Sequence, residues 1–237
     1  MNAMTLADPP PRPACRISVV REAVDRQAVV AVRQLAFAQA REFVWHDQQA
    51  LAWGPDDEQA TVLALWDADA GLSATVRAHV LPSAQVAQAV IGYPIEHLPL
   101  PGPLLLLTRA ATHPKGQCRG ANALLRVAYL SALLRTELRC VITQVYDHAP
   151  RLRAMQQAGF ELTPLSRGWD SEARARTQPL LAWMTRERVD AGLRALLVEH
   201  AVALRHTVID VPAIAAALQV QCMTAQHLVL AAQPVNG

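Results

Sequence analysis

Residues 104–107 are four consecutive leucines, closed by Thr108-Arg109 and followed by Ala110-Ala111. An apolar run of this length, bounded by polar residues, reads as a strand covered on both faces. It is far too short to cross a bilayer, which takes about 20 apolar residues. The loop THPKGQCRG then launches an Ala/Leu-rich helix predicted over 121–136. A buried strand that turns through glycines into a helix gathers free N–H groups and the positive end of a helix dipole at one point. Such a point favours an anion, and glycine lets that anion approach the backbone. The same pattern is also a plain structural connection, so it marks only a candidate site for a diphosphate-bearing cofactor.

The rest of the chain supplies the layers that such a strand needs. CRISVV (15–20) reads as a first strand. From Asp25 to about Phe43, apolar Val29, Val32, Leu35 and Ala36 recur at helical spacing. ATVLALWD (60–67) and SATVRAHVLP (73–82) flank a turn and read as a hairpin. Residues 83–103 carry four prolines and read as a long connection. RCVITQVY (139–146) is a second buried strand. Residues 147–160 read as a helix, with Pro150 at its first turn and Gly159 at its end. QPLLAWMT (178–185) is a last strand, and the pattern is helical from Arg186 onward. The predicted order is β-α-β-β-β-α-β-α-β and then helices, with a crossover-packed central sheet.

Composition excludes several classes. A hydrophobic content of 52% over 237 residues is enough for a core without disulfides or metal. Four cysteines at irregular intervals form no CxxC pair, so neither a disulfide framework nor a zinc site is expected. A net charge of +2 does not point to nucleic acid. The end of the chain has a helix-turn-helix outline, but residues 207–237 hold no Lys or Arg to contact phosphates. Those helices are expected to cover the sheet or mediate self-association, and a homo-oligomer is one expectation. The proline-rich start has no signal-peptide pattern, so residues 1–14 read as a disordered leader and the protein as cytoplasmic, with no membrane span.

HPKGQCRGANALL, followed one strand later by LRAMQQAGF, resembles the acyl-CoA loop and closing helix of the GNAT acyltransferase superfamily. That family cradles pyrophosphate with a Q/R-x-x-G-x-G/A motif after its fourth strand. Gln117, Arg119 and Gly120 fit the motif, Ala121 follows, and Asn122 stands where a small residue is usual. Met155 stands where many acetyltransferases carry a tyrosine general acid. More specifically, the chain resembles the acyl-homoserine-lactone (autoinducer) synthases and the N-acyl amino acid synthases over roughly residues 17–185. Arg33 and Phe37 match their first-helix pair, Asp57 the acid before the second strand, and Arg77 the arginine of the third strand. Thr108 and Arg109 match the end of their E-x-S/T-R motif, whose glutamate is Leu106 here.

The resemblance implies an α/β (α+β) GNAT fold: a mixed sheet flanked by helices over 15–185, with a helical C-terminal extension at 186–237. It implies an N-acyltransferase that moves an acyl group from acyl-CoA, or from the acyl-phosphopantetheine of an acyl carrier protein, to a small-molecule amine. It also implies a reacting cleft at Arg33, Asp57, Arg77, Thr108 and Arg109. The thioester carbonyl would lie on the backbone at Ala110 and Ala111, and no metal is expected. Candidate proton acceptors are Asp57, His79 and His113. Each residue has a plainer reading as well. Asp57 lies in an acidic run that suits surface, Arg77 and Asp57 could form a structural ion pair, and Arg33 could lie on a polar helix face. Arg126, Arg135, Arg139, Arg151 and Arg153 suggest a docking face for an acidic carrier protein. An ordinary acetyl-CoA-dependent acetyltransferase, or a ligand-binding protein without catalysis, are the competing readings.

Overall fold

The computed structural model describes residues 14–38, 51–116, 120–149, 151–166 and 178–232, with side chains through Thr224. The proposed leader, Gln117, Arg119, Pro150 and Trp45 lie outside the described residues. Eight strands form one mixed sheet. They are β1 (Cys15–Val19), β2 (Thr61–Asp67), β3 (Gly71–Leu81), β4 (Leu104–Thr112), β5 (Cys140–Tyr146), β6 (Glu161–Pro164), β7 (Pro179–Thr185) and β8 (Thr207–Ile209). Their order across the sheet is β6-β7-β5-β4-β3-β2-β1-β8. The four leucines belong to β4 at the centre, where Leu104 and Leu106 face one apolar cluster and Leu105 and Leu107 another. A strand with apolar side chains on both faces can lie only where both faces are covered.

One face of the sheet carries α1 (Ala23–Ala38), which lies across β3 and β4, with α3 (Ala84–Ile91) farther along β3. The other carries α4 (Ala121–Leu133), buried on nearly every side beneath α6 (Arg186–Glu199) and α8 (Val211–Ala232). Two shorter helices, α2 (Pro55–Glu58) and α5 (Leu152–Gln157), precede β2 and β6, and α7 (Ala201–Arg205) precedes β8.

Several boundaries differ from the sequence reading. Helix α1 starts at Ala23, and its Leu35 is exposed while Arg33 is fully buried. The long connection contains α3, started by Ser83, whose hydroxyl accepts from the Val86 N–H, and ended by Gly92 in the left-handed region at φ 71°. Strand β6 follows α5 directly, and β8 interrupts the helical extension to pair in parallel with β1. The extension shares the main core, since Val189, Leu193, Leu196, Ile214 and Leu218 pack with the sheet and α4. Gln221 of α8 ties it further: its amide donates to the Thr61 hydroxyl at 2.6 Å and its carbonyl accepts the Val80 N–H at 3.1 Å.

Arg186 closes the C-terminal end of α4. Its guanidinium donates to the carbonyls of Leu133, Thr136 and Leu138 through Nη1, at 2.6–3.0 Å, and to Leu134 through Nη2 at 2.8 Å. The last carbonyls of a helix have no partners inside it, and a cation there also meets the negative end of the dipole. Arg186→Ala is therefore expected to lower unfolding free energy by about 2–4 kcal/mol, measured by urea titration, because a buried set of acceptors loses its donors. Arg186→Lys should recover only part of that loss, since an ammonium cannot reach all four carbonyls.

Candidate active site

The centre of the sheet is irregular at one residue. Thr75 of β3 pairs with Ala111 of β4 and Arg77 pairs with Thr108, so Val76 opposes both Arg109 and Ala110. Arg109 adopts φ 49°, in the left-handed region where a side chain is strained. This bulge bends β4. On its other side β4 pairs in parallel with β5 only from Leu104↔Cys140 to Leu107↔Thr143. Beyond that pair the strands part. β4 continues against β3, β5 continues against β7 through Tyr146, and neither arm of the fork bonds the other. Arg109 and Ala110 have no ladder partner on either neighbouring strand. The opening falls beside Arg109, where the resemblance places the thioester.

On the α1 face, the five expected catalytic residues converge. The Arg33 Nη2 donates to Asp57 Oδ1 at 2.7 Å, with both side chains buried. Asp57 is held in turn by the single turn of α2. Gly54 is the extended N-cap, Pro55 opens the helix, and the Gly54 N–H donates to Asp57 Oδ2 at 3.2 Å. The acid is thus no surface residue, and Arg33 does not lie on a polar helix face. Arg77 is a looser partner of Asp57, at 3.8 Å. Its Nε donates to the Thr108 hydroxyl at 2.9 Å, and its Nη1 lies 3.4 Å from the exposed Asp56. Three guanidiniums therefore share one buried and one exposed carboxylate. Among the described residues, buried Nε and Nη1 of Arg33 and Nη1 of Arg109 have no hydrogen-bond partner. Buried donors in native structures are nearly always paired, so this cluster presents free donors and surplus positive charge.

The electrostatics rank the proposed proton acceptors. Burial tends to raise the Asp57 pKa, but the Arg33 hydrogen bond and charge, the Gly54 N–H and Arg77 outweigh it. The carboxyl is held below its usual value of 3.8. Burial, then the Arg77 charge, push His79 from 6.5 down to about 4. His79 pairs across the strands with Leu106, where the resembling families carry glutamate. Both groups are weak bases. The His113 Nδ1 accepts the Lys115 N–H at 3.1 Å and shapes the loop after β4. Burial and then Arg33 lower the Arg109 pKa, with Asp57 and Asp56 opposing.

The α4 face of the fork holds a small cavity, open to solvent. Ala110 and Asn122 line it, together with Leu107, Thr143 and Met155. Gly120 caps α4 in the left-handed region at φ 74°, which places the first helical N–H groups at the same end of the sheet as the fork. Ala121 is buried in the core beneath it, and Ala111 points to the α1 face. The five arginines read as a docking face do not form one. Arg126 is buried, while Arg135 and Arg139 flank the far ends of α4 and β5, away from the fork. Sequence reasoning missed that Arg126, Tyr129 and Arg151 meet in the cavity. Their signal was the i, i+3 spacing of Arg126 and Tyr129 and the i, i+4 spacing of Arg151 and Met155. Among the described residues no cluster of three or more His, Cys, Asp or Glu side chains is placed to hold a metal, and no helix is long and apolar enough to cross a membrane.

Neither a protein-family model nor a curated protein matches the sequence. Solved structures match the fold. It overlays on a CoA-dependent acyl-homoserine lactone synthase, BjaI, solved with MTA, at a TM-score of 0.54 and 14% identity, covering 77% of this chain and 89% of that one. It overlays on FeeM, an N-acyl amino acid synthase from uncultured soil microbes, at 0.51 and 13%, covering 76% and 95%. The ribosomal-protein-S18-alanine N-acetyltransferase from Escherichia coli matches at 0.50 and 17%, covering 72% and 93%. The chain has the GNAT acyltransferase fold. Its structural neighbours include one member of each of the two synthase groups that the sequence resembles.

Two measurements probe the cluster. Because the folded His79 pKa lies below the unfolded value, the unfolded chain takes up its proton first. The stability gained by keeping His79 neutral is complete above pH 6.5 and is lost as pH falls towards 4. Urea titrations across that window should show a decline on the order of 2–3 kcal/mol, allowing for partial solvation, that is absent in His79→Phe. A wild-type slope unchanged by the substitution would contradict this assignment. Arg33→Met should lower stability by about 3–5 kcal/mol by stranding the buried Asp57 carboxylate, and adding Asp57→Leu should recover part of the loss.

Proposed function

We propose that the protein is an N-acyltransferase that moves an acyl group from a carrier thioester to the amine of an amino-acid-like acceptor. The observation that carries this reading is the fork between β4 and β5, opened by the bulge at Arg109 beside an arginine cluster with free donors. Amide formation needs an oriented thioester carbonyl, a neutral amine, and stabilisation of the tetrahedral oxyanion. Backbone at the bulge, around Ala110 and Ala111, would receive the carbonyl oxygen. The carrier's phosphates would meet the start of α4 at Gly120, Ala121 and Asn122, with Gln117 and Arg119 in the preceding loop. The carrier is coenzyme A or the phosphopantetheine arm of a carrier protein.

The charge cluster bears on the acceptor in two ways. An acceptor carboxylate would satisfy the unpaired donors of Arg33 and Arg109 and offset their excess charge. The same guanidiniums disfavour an ammonium, so they lower the pKa of a bound amine and deliver it neutral. A strong general base is then unnecessary, which fits Leu106 at the usual glutamate position and the weak basicity of His79 and Asp57. The amine lone pair attacks the carbonyl carbon, the nitrogen gives up one proton to water, the intermediate collapses with cleavage of the C–S bond, and the departing thiolate takes up that proton through water.

The test is incubation of the purified protein with acetyl-, butyryl-, octanoyl- and succinyl-CoA, or the matching acyl carrier proteins, and a mixture of amino acids. Thiol release is followed continuously and products by mass spectrometry. An N-acyl amino acid should form, and Arg109→Ala should slow it by about 100-fold or more with a cooperative unfolding transition retained. Thiol release with none of these donors, or full activity in Arg109→Ala, would remove the reading.

A further inference from the structure

The floor of the fork cavity carries positive charge with no carboxylate paired to it among the described residues. Arg126, in the second turn of α4, is only 5% exposed and lines the cavity together with the buried Tyr129. Arg151, at the start of α5, lines the same cavity and is half-buried. Burial lowers the Arg151 pKa first, and repulsion from Arg126 lowers it further. Among the described residues no carboxylate forms an ion pair with either arginine. Two neighbouring guanidiniums in a pocket walled by Leu107, Leu125 and Met155, with Asn122, Tyr129 and Thr143 as its other polar side chains, are unfavourable unless an anion joins them.

The position of this charge identifies the anion. Arg126 lies six residues along α4 from Gly120, about 9 Å into the protein at 1.5 Å per residue. It is therefore not placed for the diphosphate at the helix start. Leu107 and Thr143 form the last paired rung before the fork opens, and both line the cavity. The cavity thus runs from Ala110, where the thioester carbonyl would bind, past that rung towards Tyr129 and the two arginines. What occupies it is the substituent on the carbonyl carbon.

We infer that the acyl group bears a terminal carboxylate, which Arg126 and Arg151 receive, so that the donor is a thioester of a short dicarboxylic acid rather than a fatty acyl thioester. The apolar wall accommodates the methylenes between the two carbonyl carbons, and the arginine pair rejects an aliphatic end by leaving its own charge unpaired. This rests on the acyltransferase reading. It replaces the simple lipid slot implied by the synthase resemblance with a pocket selective for charge.

The experiment is calorimetric titration of the full chain with coenzyme A alone and with two matched pairs of donors, succinyl- against butyryl-CoA and glutaryl- against valeryl-CoA. One member of at least one pair, the dicarboxylic one, should bind about ten-fold tighter or more than its neutral counterpart. Arg151→Gln should shrink that ratio to within about two-fold while coenzyme A itself binds as before, and Arg151→Lys should retain part of it. Arg151 is preferred for substitution because it is less buried than Arg126, so the variant should stay folded. Equal or tighter binding of the neutral donors overturns the inference and leaves the acyltransferase reading in place. A preference that survives Arg151→Gln also overturns it. Absence of binding by coenzyme A and by every acyl form overturns both.

Discussion

The bulge at Arg109 is the constraint on which the rest of the site depends. A β ladder left unbroken would zip β4 to β5 along their whole length and leave no room between them. One extra residue in β4, held at a positive φ, turns the strand's second half towards β3 and away from β5. Each arm of the resulting fork keeps an outer partner, so the opening costs few sheet hydrogen bonds. The strain at Arg109 is tolerated because β3 on one side and the parallel pairing of Leu104–Leu107 on the other fix the strand above and below it. The bulge also sets which side chain faces where. Thr108 remains with Arg77 on the α1 face, while Ala110 turns to the α4 face.

The fork therefore joins two electrostatic compartments through the sheet. The α1 side gathers Arg33, Arg77 and Arg109 around Asp57, with the acid locked in place by the one-turn helix that begins at Gly54-Pro55. The α4 side is a pocket of mixed lining that ends at Arg126 and Arg151. Both compartments carry more guanidinium than carboxylate among the described residues. Buried positive charge of this kind is costly in the empty protein and is offset when anions bind. A substrate with negative charge at its acyl end and at its acceptor end would relieve both at once. On the proposed reading, the same excess charge would let transfer proceed with Leu106 at the synthases' glutamate position and Met155 at the acetyltransferases' tyrosine position. The site would work by shifting the amine's protonation and by holding charge, rather than by a dedicated base and acid.

The C-terminal extension makes this arrangement stable. Helix α4 has its start at the fork and its end under the guanidinium of Arg186, which takes up four carbonyls. Helices α6 and α8 press α4 against the sheet, and Gln221 bonds both β2 and β3. Gly192 lets α6 pack closely on the end of α5, since a Cβ there would lie 2.2 Å from the Ala158 carbonyl oxygen. Helix α4, whose start is proposed to hold the carrier's phosphates, is thus clamped at its far end by the C-terminal extension.

The sequence by itself determined the order of the long elements, the central position of β4, and the residues of the α1-face cluster. Those features are written in local patterns: a two-sided apolar run, helical periodicity, and short stretches that resemble motifs of the synthases. Short elements were not legible, because β6 and β8 are only four and three residues long and exist through pairing with β7 and β1. Helix α3 was legible in its Ser83 and Gly92 caps but was hidden by the surrounding prolines. Only the tertiary structure decided that Asp57 and Arg33 are buried, which of the five arginines face solvent, and that Arg126 and Arg151 share a pocket. Burial and charge proximity depend on which elements pack together, and residues 25 positions apart on different helices carry no trace of that in their own neighbourhoods.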